Sequence, residues 1–188
     1  MELTEERIGL MLDRFLDIAK DQRSRIPYSK DEHFPSLVIL LGPFNEMTTI
    51  PAHWSNDTEK QRYFKAVSYA AQKTLTAAVA LISDTRSVKG DDKFSAFLGI
   101  PTLEEMGIEA WHEEYTRIMH QRFKGEVKNL PREYWTDSVL VVMKGPGIKP
   151  VARMQNYGPG PNDSILWGEQ STERDRCHHF NLLPDWWC

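Results

Sequence analysis

The chain reads as an α+β protein, a mainly antiparallel sheet of five to six strands with helices packed against it. Three observations lead there. Short apolar runs, Leu37 to Leu41, Ala77 to Ile82 and Val139 to Met143, have the length of strands buried on both faces. Gly-Pro turns at Gly42-Pro43 and Gly145-Pro146-Gly147 follow two of these runs within a residue or two, the short spacing of hairpins, which makes the joined strands antiparallel. Between the runs lie amphipathic stretches whose apolar residues recur at helical spacing.

In chain order, Thr4 caps a first helix, with Glu5 and Glu6 at its positive end and Ile8, Met11, Leu12, Phe15, Leu16, Ile18 and Ala19 on one face. Pro35 precedes the first strand, and Met47 to Ile50 returns as a second, which Pro51 stops or confines to an edge. Asn56 and Glu59 form a capping-box pattern ahead of a second helix that reaches Leu75. The strand at Ala77 to Ile82 emerges at Ser83-Asp84-Thr85-Arg86, and Ser87 to Asp92 reads as loop. Thr102 and Glu105 form another capping box, and Leu103, Met106, Ala110, Trp111, Tyr115, Ile118, Met119 and Phe123 give the stripe of one continuous third helix, ended by Gly125. Val139 to Met143 pairs with Val151 to Tyr157, and Ser164 to Trp167 adds a short strand. The order expected is α-ββ-α-β-(inserted α)-ββ or βββ, in one domain over residues 1–188, with 87–132 a helical insertion and 169–188 an irregular tail.

With 188 residues the chain can bury a core without staples, and its 23 basic against 27 acidic side chains leave a net charge of −4. No global positive field draws it to a phosphate backbone, so nucleic acid is not the expected partner. The apolar runs are far too short to span a bilayer, and the acidic, amphipathic start lacks the basic and apolar regions of a secretory signal. With two cysteines, both close to the C-terminus, reduced thiols and a cytoplasmic location are expected.

The succession of a hairpin ending in Pro (Leu37 to Ile50, then Pro51), a helix (Asp57 to Leu75), a strand ending in Ser-acid (Val79 to Asp84), a second hairpin (Val139 to Tyr157) and a closing I-x-W-G (Ile165 to Gly168) is similar to short uncharacterised proteins of bacteria and phages. The resemblance implies a phage or mobile-element origin and transfers no catalytic residue. Without the 87–132 excursion, the element order also resembles profilin-like and roadblock-like scaffolds, which implies a binding or scaffolding role.

Several residues could carry chemistry. Ser83, Asp84 and Arg86 place a hydroxyl, a carboxylate and a guanidinium at the end of a buried strand, a candidate catalytic group if His53 or His112 is brought near; the bland outcome is an Arg86–Asp84 pair. Cys177, His178, His179 and Cys188 supply the donors that zinc prefers, in an unusual spacing. Arg117, Arg122 and Lys124, with Lys128, Arg132, Tyr134 and Trp135, could contact phosphates or simply solvate a helix end. Trp186 and Trp187 could anchor a partner or a second copy, or pack onto the body. The motifs of zinc proteases, zinc deaminases, serine-elbow hydrolases and Walker-type or dinucleotide-binding loops are absent. The leading expectation is a cofactor-independent protein-binding module; the alternative is a small hydrolase or other enzyme with a polar site at the end of the 77–84 strand.

Overall fold

The computed structural model describes residues 4–28, 33–44, 46–53, 57–145 and 148–174. Two compact units emerge, one formed by Met1–Thr85 with Ser138–Cys188 and the other by Arg86–Asp137. The first carries most of the antiparallel sheet, of strand order β2-β1-β3-β4-β5-β6, with β1 (Ser36–Leu41), β2 (Met47–Ala52), β3 (Ala78–Val88), β4 (Trp135–Gly145), β5 (Ile148–Pro159) and β6 (Ile165–Arg174).

Alternation along these strands sorts their apolar side chains to two faces. On one face Ile39, Leu41, Ala78, Ala80, Ile82, Val139, Val141 and Met143 meet Ile8, Leu12, Phe15, Leu16 and Ala19 of helix α1 (Glu5–Ser24). On the other, Val38, Leu40, Val79, Leu81, Leu140 and Val142 meet Phe64, Val67 and Ala71 of helix α2 (Asp57–Lys73). Both faces of β1, β3 and β4 are thus covered, which is why these strands lack polar alternation in their central runs. Thr4 caps α1 by accepting from the Arg7 N–H at 3.4 Å, and Asp13 of α1 pairs with Arg153 of β5. In the β1–β2 turn the Glu46 carboxylate lies over Gly42, where a Cβ would displace it, and its Oε2 accepts from the Phe44 N–H at 3.0 Å. Pro51 lies within β2, an edge strand, where a missing N–H is tolerated.

The second unit has its own core of Phe94, Leu98, Trp111, Ile118, Met119, Leu130 and Trp135. Its buried indoles are satisfied: Trp111 donates to Ser95 Oγ at 3.0 Å and Trp135 to the Leu130 carbonyl at 3.1 Å. The expected continuous helix is broken into α4 (Leu103–Met106) and α5 (Ile108–Phe123) at Gly107, whose φ of 79° with ψ of 159° is open to glycine and closed to other residues. The Thr102–Glu105 capping box is present, and the Thr102 N–H and hydroxyl hold the Glu105 carboxyl below its ordinary range. The loop expected over Ser87 to Asp92 is shortened at both ends, because β3 runs to Val88 and α3 (Asp92–Leu98), for which no element was expected, starts at Asp92; Asp91 caps this helix by accepting from the Phe94 N–H at 2.8 Å, and Gly99 ends it at φ 78°. Seven residues are too few to show a helical period, so only the caps could have revealed it.

The tail expected from residue 169 is also corrected, because β6 runs to Arg174, paired along β5 from Pro159↔Ile165 to Val151↔Arg174. Main-chain hydrogen bonds sustain it despite polar side chains, a contribution that side-chain patterning does not register. Among the described residues, no helix is long and apolar enough to cross a membrane.

The turn between β5 and β6 places Asn162 and Asp163 at φ 54° and 58°, with the Ser164 N–H donating to Pro161 O at 3.1 Å, the signature of a type I′ turn. Replacing Asp163 by Gly gives the preferred Asn-Gly pair. Thermal unfolding of the D163G variant is expected to show a gain on the order of 0.5 kcal/mol; a loss would contradict the turn assignment.

Candidate functional site

Asp84 continues the row of Ala78, Ala80 and Ile82 on β3, so its side chain enters the apolar layer beneath α1. A carboxylate there requires partners. The first is Arg23, which ends the buried stripe Ile8, Leu12, Leu16, Ala19 along α1; both side chains are 0% exposed, and Arg23 Nε lies 3.3 Å from Asp84 Oδ2. The second is Tyr157 of β5, whose hydroxyl donates to Asp84 Oδ1 at 2.6 Å and whose ring lies 4.9 Å below the Arg23 guanidinium carbon. The third is His33, with Nδ1 3.2 Å from Oδ2. Neither nitrogen on Oδ2 has hydrogen-bond alignment, so Arg23 acts on that oxygen through its charge.

Local folding delivers each group. Past the end of α1, Arg23 Nη1 donates to the Ile26 carbonyl at 3.0 Å, and the Tyr28 N–H donates to Asp163 O at 2.8 Å. Tyr28 and Trp167 both meet Tyr157 edge-on, at 6.4 and 5.6 Å between centroids, and Lys20 Nζ stands 5.4 Å over Trp167. His33 Nδ1 is buried while 28% of the side chain is exposed, so solvent reaches the remainder of the ring. The arrangement sets a buried carboxylate 3.2 Å from one nitrogen of an accessible imidazole, close enough to stabilise positive charge on the ring.

The expected group of Ser83, Asp84 and Arg86 is corrected by strand alternation and by partner choice. Ser83 points to the α2 face, with its hydroxyl 2.8 Å from that of Ser36. Arg86 pairs with Asp137 rather than Asp84, Nε to Oδ1 at 3.3 Å. The histidine that meets Asp84 is His33; His53 is exposed beyond β2, and the His112 ring lies beside Tyr115 on α5. Arg23, His33 and Tyr157 were missed because distant segments bring them together.

The basic stretch is largely engaged. Arg117 forks onto Glu114 and donates to Gln121 Oε1 at 2.8 Å; Arg122 stacks over Phe97 and Phe123; Lys128 pairs with Glu126 at 3.1 Å. Lys124 ends α5 with φ 56°. Cys177, His178, His179, Cys188, Trp186 and Trp187 lie outside the described residues, among which no cluster of three or more His, Cys, Asp or Glu could hold a metal ion.

Burial first, then the hydrogen bond to Asp84 and its charge, push the Tyr157 hydroxyl far above the ordinary tyrosine value of 10.0, against the opposing pull of Arg23. A pKa raised on folding stabilises the fold fully below the unfolded value, and that contribution is lost as pH rises through the folded one. Chemical denaturation across pH is therefore expected to show wild-type stability falling above about pH 10. The Y157F variant, less stable by ~1.5–3 kcal/mol at neutral pH, should lose less over the same alkaline range; parallel curves would remove Tyr157 from the site.

Comparison with protein-family models, curated proteins and solved structures finds no match, so the likeness to bacterial and phage proteins and to profilin-like scaffolds gains no support and the site is read from its own geometry.

Proposed function

We propose that the protein is a small enzyme of hydrolytic type in which His33, beside the buried Asp84 carboxylate, removes a proton from a water molecule attacking the substrate. The single observation that carries this reading is the approach of His33 Nδ1 to within 3.2 Å of a fully buried carboxylate while the rest of its ring reaches solvent. With Nδ1 turned to Asp84, Nε2 is the nitrogen left to accept a proton, and the carboxylate stabilises the imidazolium as it forms. Tyr157 and Arg23 hold Asp84 in place. Water is the nucleophile in this scheme because Ser83 is engaged with Ser36 on the opposite face.

The test is hydrolysis of activated carboxylic and phosphoric esters by the full chain. The H33Q variant, which keeps size and polarity, should lose about 10²–10⁴-fold in rate. Equal rates in the two proteins, or no turnover of any ester by the wild type, would reject the reading.

A binding module is a second reading, favoured by Phe44, 79% exposed in the β1–β2 turn, and Met47, 50% exposed on an edge strand without a charged residue. Joint replacement of both by Asp should abolish self-association in sedimentation if that reading holds; the enzyme reading expects ester hydrolysis to be unaffected.

A further inference from the structure

The two edges of the sheet are built differently. β6, at one end of the strand order, carries Glu169, Glu173 and Arg174 and meets β5 across a register shift between Gln155 and Tyr157; charge and irregularity are the usual guards of an edge. β2, at the other end, reads Met-Thr-Thr-Ile-Pro-Ala, without a charged side chain, and pairs with β1 in unbroken register from Ser36↔Ala52 to Leu41↔Met47. Next to that register the Gly42 N–H donates to the Glu46 carbonyl at 2.8 Å, so alternation turns the main-chain groups of Thr48, Ile50 and Ala52 to β1 and those of Met47, Thr49 and Pro51 away from it. Met47, Thr48, Thr49 and Pro51 are exposed, and among the described residues no strand lies beyond β2. Pro51, which has no N–H to offer, guards only the far end of this edge.

We propose that β2 pairs antiparallel with β2 of a second copy of the chain, a mode that deepens the binding-module reading and rests on it. With the twofold axis at Thr48, Met47 of each copy stands opposite Thr49 of the other, and each such pair exchanges its N–H and C=O groups. An axis one residue further on would set Pro51 opposite Met47 and leave the Met47 carbonyl without a donor. The Thr48 axis also brings the two Thr48 side chains face to face and the two Met47 side chains into diagonal reach, both favourable cross-strand neighbours. A second copy is the occupant because the edge is complementary to itself and neutral. Two chains of net charge −4 can meet closely where neither strand brings a charge, and the adjacent acid, Glu46, is turned onto the Phe44 N–H. The pairing is independent of His33 and Asp84.

The test is sedimentation of the full chain from micromolar to millimolar concentration, with amide hydrogen exchange followed over the same range. Dimers are expected, and protection of the Met47 and Thr49 amides should rise with concentration while that of Thr48 and Ile50, bonded to β1, stays constant. Thr49→Pro removes one outward donor per copy and leaves the β1 ladder whole, so it should weaken the dimer about thirtyfold. Dimers whose Met47 and Thr49 amides exchange as in the monomer, or a T49P dimer as tight as the wild type, would overturn strand pairing and leave the binding-module reading in place. A chain that stays monomeric throughout would overturn the pairing and with it the self-association that the binding-module reading expects. Exchange in the wild type decides the matter even where the variant folds poorly.

Discussion

Arg23 and Asp84, both wholly enclosed between α1 and the sheet, set the terms for everything around them. Taking two charges out of water costs several kcal/mol per ion, and their attraction offsets that only when the remaining polar atoms also find partners. Tyr157 answers one carboxylate oxygen and the Ile26 carbonyl answers one guanidinium nitrogen. Oδ2 faces two nitrogens at ion-pair distance without alignment to either. A hydrophobic pair of similar volume would often cost less to bury, and the role proposed for His33 gives these charges a use beyond stability.

The sheet makes this placement possible. Covering β1, β3 and β4 on both faces yields a dry interior in which Val79 and Val141 are fully buried. Beyond Ile82, β3 continues past the apolar run and carries a charged residue into the same row. β4 begins in the same manner, with Asp137 preceding the apolar positions Val139, Val141 and Met143. In each strand a carboxylate stands next to the apolar run and each is met by arginine, one from α1 and the others from Arg86 and Arg132. In β3 and β4 the charged side chains thus stand beside the apolar run and not within it.

Much of the architecture was legible. Apolar runs located the central strands, and the Thr102–Glu105 box located a helix start, because burial and capping act over a few residues. Part of the site was legible too, though in a form that is easily misread. Positions 78, 80, 82 and 84 share one strand face, and positions 8, 12, 16, 19 and 23 share one helix face, so Asp84 and Arg23 each extend an apolar row. A charge in such a row calls for an opposite charge in the layer it faces. Grouping Ser83 with Asp84 and Arg86 by adjacency ignored that alternation. His33 carried no comparable signal: it sits just before β1 with no periodic neighbours, and only folding brings it to Asp84. Gly107 was hidden for a different reason, since a glycine within a helical stripe is compatible with continuity until its φ is known.

A double-mutant cycle on Arg23→Met and Asp84→Leu, read by chemical denaturation, measures whether the two charges depend on one another. Each single replacement is expected to cost about 3–5 kcal/mol by stranding its partner, while the double variant recovers most of that loss. Single effects that add to within about 0.5 kcal/mol of the double would show two independent residues and no coupled pair.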